Sequence, residues 1–258
     1  MRTSVAVAGR TLSGRRSRLA IARSRDLTIN LRNGSRRPRT IKLALNNITV
    51  ENHLVHLGRK PRIRVVEHLF SALCGLNLFR CRIDLNCYEL PFFDGSSRTL
   101  ARALDKLARS RPAAIRGRAA EVHCGRSFLT YRPEPRDKLL VDMTLRHSFI
   151  GVQRIKLAIT PASYKREIAP ARTFVFTDVR DNRLKKLPPY GFAVTKQGVF
   201  STSPLRFPDE AVRHKVLDLL GDLFVLGGRL VGTITGYNTS HELNYSLAEK
   251  LLNDRRWP

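Results

Sequence analysis

Apolar residues recur at helical spacing in the stretch from Phe207 to Phe224. They lie mostly three or four positions apart and are Val212, Val216, Leu219, Leu220 and Leu223. This period puts them on one face of a helix. Pro208 fits the first turn, where a backbone N–H has no partner inside the helix. The pattern therefore predicts a helix over residues 208–225.

Short apolar runs bounded by Gly, Asn-Gly or Pro are typical of strands and turns, and they occur in both halves of the chain. In the first half the pattern predicts strands at 3–9, 17–22, 26–31, 39–44 and 81–85, with helices at 65–76 and 99–108. In the second half it predicts strands at 119–124, 127–132, 138–146, 153–159, 172–177 and 230–235, with helices at 208–225 and 241–253. The repeated plan predicts an α+β fold of two similar α+β domains, 1–110 and 118–258, with a linker at 109–118.

Composition supports a globular protein. The chain has 258 residues, and 42% of them are hydrophobic, which argues against global disorder. No apolar run reaches the roughly 18 residues of a membrane span. Residues 1–8 lack the apolar core and cleavage site of a signal peptide. We therefore expect a cytoplasmic protein, whose four cysteines, without C-x-x-C spacing, are free thiols.

The net charge is +26, from 47 basic and 21 acidic residues. Such a charge suits nucleic acid, an anionic membrane surface or a phosphorylated substrate. The first quarter holds a concentration of basic residues, among them Arg15, Arg16, Arg36, Arg37 and the group at 59–64. A general bias toward arginine with no partner behind it is the alternative explanation.

Polar residues interrupt the apolar face of the helix at 208–225. His214, Asp218 and Asp222 follow one another at intervals of four, so their side chains lie on one side of the helix, one turn apart. An imidazole and a carboxylate in this arrangement can bind one metal ion. An exposed charge pair on the helix surface is the alternative, and the metal hypothesis needs a third ligand and a base from elsewhere.

Candidates for these missing groups occur in three other segments. Glu67-His68 lies on the first predicted helix, Thr173 follows Arg172, and His241 opens the last helix after Ser240 as its N-cap. Together with the helix at 208–225, they make up a hydrolytic zinc site with a base and an acid. Taken singly, a histidine is more often structural, and Glu67 is equally compatible with a surface charge.

Five short blocks carry a resemblance to a known family. They are Val66-Glu67-His68-Leu69, Glu89-Leu90-Pro91 with Asp94-Gly95-Ser96, Ala171-Arg172-Thr173-Phe174, Arg213-His214-Lys215 with Asp218 and Gly221-Asp222-Leu223, and Ser240-His241 with Leu243-Asn244. In order and spacing they resemble the UDP-3-O-acyl-N-acetylglucosamine deacetylases, the zinc enzymes of lipid A biosynthesis. The resemblance implies two similar α+β domains with helices packed between two β-sheets. It also implies Zn²⁺-dependent removal of the N-acetyl group, giving acetate and the 2-amino sugar nucleotide.

The resemblance implies metal ligands and a base. His68, His214 and Asp218 would hold Zn²⁺, and Glu67 would take a proton from the attacking water. The partner would be a sugar-nucleotide substrate with an acyl chain. We expect a monomer that binds no specific nucleic acid. The positive charge is also compatible with peripheral contact with an anionic membrane.

Further roles follow from the same resemblance. Thr173 and Lys215 would stabilise the oxyanion that develops in the transition state. His241 would protonate the leaving amine, with Asp222 holding its imidazole. Phe174 would contact the substrate.

The sequence departs from the family pattern in two segments. Gly9–Gly14 lacks the histidine of the family's Gly-Leu-His-Ser/Thr-Gly segment. Residues 175–206 are shorter and more charged than the family's insert for the acyl chain, and they lack its Gly-Gly pair. A deacetylase of another N-acetyl-amino sugar is therefore a second hypothesis. The third is a catalytically dead relative that binds anions or nucleic acid, although all ligands, the base and the acid are present.

Overall fold

The structure is a computed structural model and describes residues 3–32, 34, 37–107, 112–177 and 190–253. Three predictions fall partly outside these residues: the end of the helix at 99–108, part of the linker at 109–118, and the charged part of the segment at 175–206.

The first half of the chain forms a five-stranded sheet, a three-stranded sheet and two helices. Its elements are β1 (Ser4–Arg10), β2 (Arg16–Arg23), β3 (Thr28–Leu31), β4 (Arg39–Thr40), β5 (Ile48–Glu51), β6 (Leu54–Leu57), β7 (Ile63–Arg64), α1 (Glu67–Gly75), β8 (Cys81–Leu85) and α2 (Arg98–Leu104). The predicted strand at 39–44 is wrong beyond Thr40, and β5, β6 and β7 were not predicted. Helix α1 begins after Val65, whose φ of 61° is incompatible with a helix.

The second half again has a five-stranded and a three-stranded sheet, and it adds a two-stranded sheet and a short third helix. Its elements are β9 (Ala114–Ile115), β10 (Ala120–Cys124), β11 (Ser127–Arg132), β12 (Leu139–His147), β13 (Gly151–Ile159), α3 (Pro161–Ser163), β14 (Phe174–Phe176), β15 (Phe192–Thr195), β16 (Gly198–Ser201), α4 (Glu210–Asp222), β17 (Arg229–Leu230), β18 (Gly232–Tyr237) and α5 (His241–Asn253). A π-helical turn follows α3 and a 3-10 turn follows α4. Helix α3 and strands β9, β15 and β16 were not predicted, and β9 lies within the predicted linker at 109–118.

The two five-stranded sheets share one topology. Their strand orders are β1-β2-β8-β3-β4 and β10-β11-β18-β12-β13. In the first sheet β8 lies parallel to β3, and in the second sheet β18 lies parallel to β12. All other neighbouring strands in the two sheets are antiparallel. In each half a helix precedes this strand, β8 or β18, and another follows it. The α+β fold is confirmed, whereas the boundaries 1–110 and 118–258 stay predictions.

The helices pack between the two large sheets. Helix α4 contacts β12 and β13, α5 contacts β10 and β11, α2 contacts β1, and α1 contacts both α2 and α4. One continuous core joins the halves, with Phe224 stacked on Phe70 and Phe79 at centroid distances of 5.1 and 5.3 Å. Helices α1 and α4 approach closely at Gly221, where a Cβ atom would lie 2.4 Å from the carbonyl oxygen of Glu67.

Each half carries an insert at the same topological position. The first insert is the sheet β5-β6-β7, which comes between β4 and α1 in the chain. The second insert is the sheet β14-β15-β16, which comes between β13 and α4. The inserts therefore emerge next to α1 and α4, the helices that meet at the centre of the molecule. This position gives both inserts access to the same cleft.

Candidate active site

A cleft of about 690 Å³ opens between the two inserts. Residues from both halves line it: Leu12, Asn52, His53, Leu54, Glu67, His68, Phe92, Thr173, Phe174, Val175, Phe176, Tyr190, Phe192, His214, Lys215, Asp218, Ser240 and His241. One wall is aromatic and apolar, and the floor carries ionisable groups from α1, α4 and α5. This combination is typical of a site for a small molecule.

Helix α4 supplies two adjacent donors to the floor. His214 Nε2 lies 3.2 Å from Asp218 Oδ1, as the interval of four residues predicted. His214 and Asp218 are only 3% and 5% exposed. The alternative of an exposed surface pair is therefore wrong for these two residues.

Helix α1 brings the third donor. His68 lies in its first turn, and its ring meets the ring of His214 edge to face at a centroid distance of 5.3 Å. Donor atoms of His68, His214 and Asp218 all lie within 4.8 Å of one another, so these three residues could hold a metal ion.

The donors are in the chemical form that metal binding requires. Burial lowers the pKa of His68 to about 3 and also lowers that of His214, so both imidazoles are neutral. Burial alone would raise the pKa of Asp218, but His214, His241 and Lys215 outweigh it and hold the pKa below its usual value. Neutral imidazoles and a carboxylate offer the lone pairs that Zn²⁺ prefers.

The main chain orients one of these donors. His214 Nδ1 donates to the carbonyl oxygen of Ala171 at 3.1 Å, with Nδ1 as the protonated nitrogen. This hydrogen bond leaves the Nε2 lone pair free for a metal ion. The residues present therefore fit a zinc site.

Glu67 adjoins the three donors at the start of α1. Its side chain is buried, and the backbone N–H of Val55 in the first insert donates to Oε2 at 3.3 Å. Burial raises the pKa of Glu67 to about 8. A carboxyl group with this pKa is suited to proton transfer near neutral pH, and it is not a surface charge.

His241 and Asp222 form a second buried pair. His241 Nδ1 donates to Asp222 Oδ2 at 2.7 Å, and Asn244 Nδ2 donates to the same oxygen at 2.8 Å. Burial lowers the pKa of His241, but the charge and hydrogen bond of Asp222 outweigh this and raise it to about 10. The imidazole is therefore held in its charged form. Ser240 caps α5 as predicted, because its Oγ accepts from the N–H of Leu243.

Thr173, Lys215 and Phe174 lie together at one side of the cleft. The N–H of Thr173 donates to the carbonyl oxygen of Gly95 at 2.7 Å, which ties the second insert to the first half of the chain. Lys215 Nζ lies 3.6 Å from Asp218 Oδ2 and 5.7 Å from the centroid of the Phe174 ring. A cation and a hydroxyl group thus adjoin the cluster of donors.

The structure brings all nine predicted site residues to one place. Asp222 lies behind His241, and the other eight line the cleft. Their individual roles stay predictions.

Sequence reasoning missed four further groups. Asn52 and His53 form a hairpin tip at the cleft, with φ values of 51° and 61°, and only the asparagine gave a signal for such a turn. Arg172 and Glu210 form a buried ion pair beside His214. Glu210 had a signal, since it extends the stripe of His214, Asp218 and Asp222 by one turn.

The segment that departs from the family pattern also reaches the cleft. Leu12 lines it, and Ser13 donates to Glu89 from both its backbone N–H, at 3.0 Å, and its hydroxyl group, at 2.7 Å. Gly9–Gly14, which contains no histidine, thus borders the site through Leu12.

The fold and the site define a class: an α+β amide hydrolase with a buried His₂Asp donor set beside the ionisable side chains of Glu67 and His241. The family model described as UDP-3-O-acyl N-acetylglycosamine deacetylase matches residues 1–253. The chain belongs to this family. The resemblance drawn from the motifs and the enzyme class are thereby confirmed.

Curated relatives agree with this assignment. The chain is 34% identical over 210 residues to the UDP-3-O-acyl-N-acetylglucosamine deacetylase of Campylobacter hominis, covering 77% of this chain and 71% of the relative. It is 31% identical over 227 residues to the protein of that name from Anaeromyxobacter sp., and the match covers 82% of this chain and 74% of the relative. It is 34% identical over 229 residues to the protein of that name from Wolinella succinogenes, and the match covers 83% of this chain and 76% of the relative. No helix in the described ranges is long and apolar enough to cross a membrane.

Proposed function

We propose that this chain removes the N-acetyl group of UDP-3-O-acyl-N-acetylglucosamine in lipid A biosynthesis, giving acetate and the free 2-amino sugar nucleotide. The observation that carries the proposal is the meeting of His68, His214 and Asp218 with Glu67 and His241 in one cleft. Family membership and the named relatives support the same activity.

The metal ion in this proposal is Zn²⁺. His68, His214 and Asp218 would hold it, and when bound it supplies Lewis acidity at the amide that is cleaved. The donor chemistry supports zinc because two neutral imidazoles and one carboxylate match a catalytic zinc site that keeps an open position.

Glu67 acts as the general base. In its ionised form it accepts a proton from the water that attacks the amide carbonyl, and its raised pKa makes this carboxylate a stronger base than that of an exposed glutamate. The N–H of Val55 restricts the carboxylate to one orientation. General base catalysis of this kind contributes about 10²- to 10⁴-fold to a rate.

His241 acts as the general acid. Its charged imidazole donates a proton to the nitrogen of the leaving amine, and Asp222 fixes the ring through Nδ1. Thr173 and Lys215 supply a hydroxyl group and a positive charge for the oxyanion that develops when water attacks.

Aromatic rings form the wall of the cleft that suits an acyl chain. Phe174 packs against Phe176 and Phe192 at centroid distances of 5.3 and 5.6 Å, and Val175 adds an apolar surface. An apolar chain gains about 0.8 kcal/mol for each methylene group that it buries there.

A deacetylase of another N-acetyl-amino sugar is the second candidate. The observation that favours it is the presence of Leu12 at the cleft in the segment that lacks the family's histidine. The cytoplasmic location, the monomeric state, the lack of specific nucleic-acid binding and the contact with anionic membranes stay predictions.

The test is a deacetylation assay with zinc analysis of the same sample. Its substrates are UDP-3-O-acyl-N-acetylglucosamine and the same sugar nucleotide without the acyl chain. We expect turnover of the acylated substrate, with kcat/KM at least about ten-fold above that of the other. Preference for the unacylated sugar would favour the second candidate, and turnover of neither would overturn the proposal.

A further inference from the structure

The segment Ala171–Thr173 connects three parts of the site through consecutive residues. The carbonyl oxygen of Ala171 accepts from His214 Nδ1, and Thr173 lines the cleft. Arg172 lies between them, and its side chain points into the protein, where it is only 2% exposed. Arg172 therefore lies between a residue bonded to a candidate metal ligand and a residue that lines the cleft.

Arg172 pairs with Glu210, the first residue of α4. Its Nε donates to Glu210 Oε1 at 2.8 Å, its Nη2 donates to Oε2 at 3.1 Å, and its backbone N–H donates to Oε1 at 2.9 Å. Side chain and main chain are thus both fixed to one carboxylate. Glu210 is fully buried, and its pKa lies below the usual value, because hydrogen bonds from Arg172 outweigh the effect of burial.

Every hydrogen-bonding position of the pair has a partner. The guanidinium group also donates to Ser201 Oγ at 3.1 Å, Ser203 Oγ at 2.7 Å and the carbonyl oxygen of Pro204 at 3.0 Å, so its five N–H groups are all used. Glu210 Oε2 additionally accepts from the N–H of Arg206 at 2.7 Å. A buried network whose charged groups are all hydrogen-bonded restricts the geometry of its members.

A buried ion pair contributes little net stability compared with apolar residues of the same shape, because both charges lose their hydration. The pair is therefore better explained by the geometry that it imposes. Glu210 lies one helical turn before His214 on the same side of α4. Through its bonds to Arg172, it fixes the position of Ala171–Thr173 along the helix axis.

We propose that Arg172 and Glu210 are positioning residues. They hold the Ala171 carbonyl oxygen against His214, and they hold Thr173 at the cleft. In this way they fix the position of the oxyanion donor, Thr173, relative to the metal ligand, His214. This inference rests on the proposed function, because it assigns a task to two residues of the same site.

The decisive variant is the double substitution Arg172→Met with Glu210→Leu. It removes both charges and leaves neither buried alone, so it preserves folding better than either single change. The control is Asp142→Asn, since Asp142 and the exposed Arg154 form a two-point ion pair on β12 and β13, and neither residue lines the cleft.

Two readouts test the proposal on folded protein. The first is the Zn²⁺ dissociation constant, measured by competition with a chelator and without substrate. We expect it to rise about ten-fold in the double variant, as when a partner of a zinc-ligating histidine is disturbed. The second is the split between kcat and KM, in which we expect kcat to fall about ten-fold with KM little changed.

A purely structural role predicts a changed melting temperature with zinc affinity and kcat retained, and that result would overturn the proposal. If wild-type protein failed to turn over the acylated substrate, the proposed function would fail, while the zinc measurement would still decide the role of the pair.

Discussion

His241 Nδ1 and Asp222 Oδ2 lie 2.7 Å apart, and both side chains are buried. The carboxylate bonds to Nδ1 of the imidazole, and the imidazole lines the cleft. Asn244 donates to the same carboxylate oxygen and fixes its orientation. This pair connects α4 with α5 and places a charged imidazole at the cleft.

Asp222→Asn tests the pair through the pH profile. Without the carboxylate, the pKa of His241 falls from about 10 toward the value that burial favours. Activity that needs the protonated imidazole is lost as pH rises through this pKa, so the alkaline limb should move to lower pH. The measurement is kcat/KM against pH, with Asp84→Asn, a half-buried member of another ion pair, as the control. An unshifted alkaline limb would argue against His241 as the acid.

Glu67→Ala tests the base. We expect about one zinc ion per chain to remain, because Glu67 is not one of the three donors. We expect kcat to fall by about 10²- to 10⁴-fold, the usual loss when a general base is removed. Metal analysis and turnover of the acylated substrate check both parts, and an unchanged rate would show that another group is the base.

His214→Ala tests the donor set. Loss of one of three protein ligands should lower the zinc content from about one ion per chain to near zero after dialysis. His123→Ala is the matched control, since His123 is an exposed histidine on β10. Full zinc content in the His214 variant would move the metal site elsewhere.

Gly221→Ala tests the contact between α1 and α4. The new Cβ atom would lie 2.4 Å from the carbonyl oxygen of Glu67, so the helices must separate. We expect a loss of about 1–3 kcal/mol in the free energy of unfolding. We also expect a lower kcat, because Glu67 and His68 move away from α4.

The control for this change is Gly117→Ala, whose Cβ atom meets the flexible side chain of Leu251 at 2.8 Å. Chemical denaturation and turnover are measured on both variants. Equal stability and activity in the two variants would show that the close approach at Gly221 has no role in the site.

The sequence predicted the elements whose signal is local. The helix at 208–225 was recognised because apolar residues at its period and Pro208 at its start act within a few turns, and α4 with its 3-10 turn occupies most of that range. The strands that form the two large sheets were mostly found for the same reason. The hairpin of β5 and β6 was missed because its turn uses Asn52-His53 in place of the usual Asn-Gly.

The motifs predicted the residues of the site, since His214, Asp218 and Asp222 share one side of any helix that contains them. Only the tertiary structure decided that His68 meets His214 and that the carboxyl group of Glu67 is buried. These contacts depend on how closely α1 packs against α4 at Gly221. The pair of Arg172 and Glu210 was likewise undetermined, because no local pattern shows that residues 38 positions apart share one buried hydrogen-bond network.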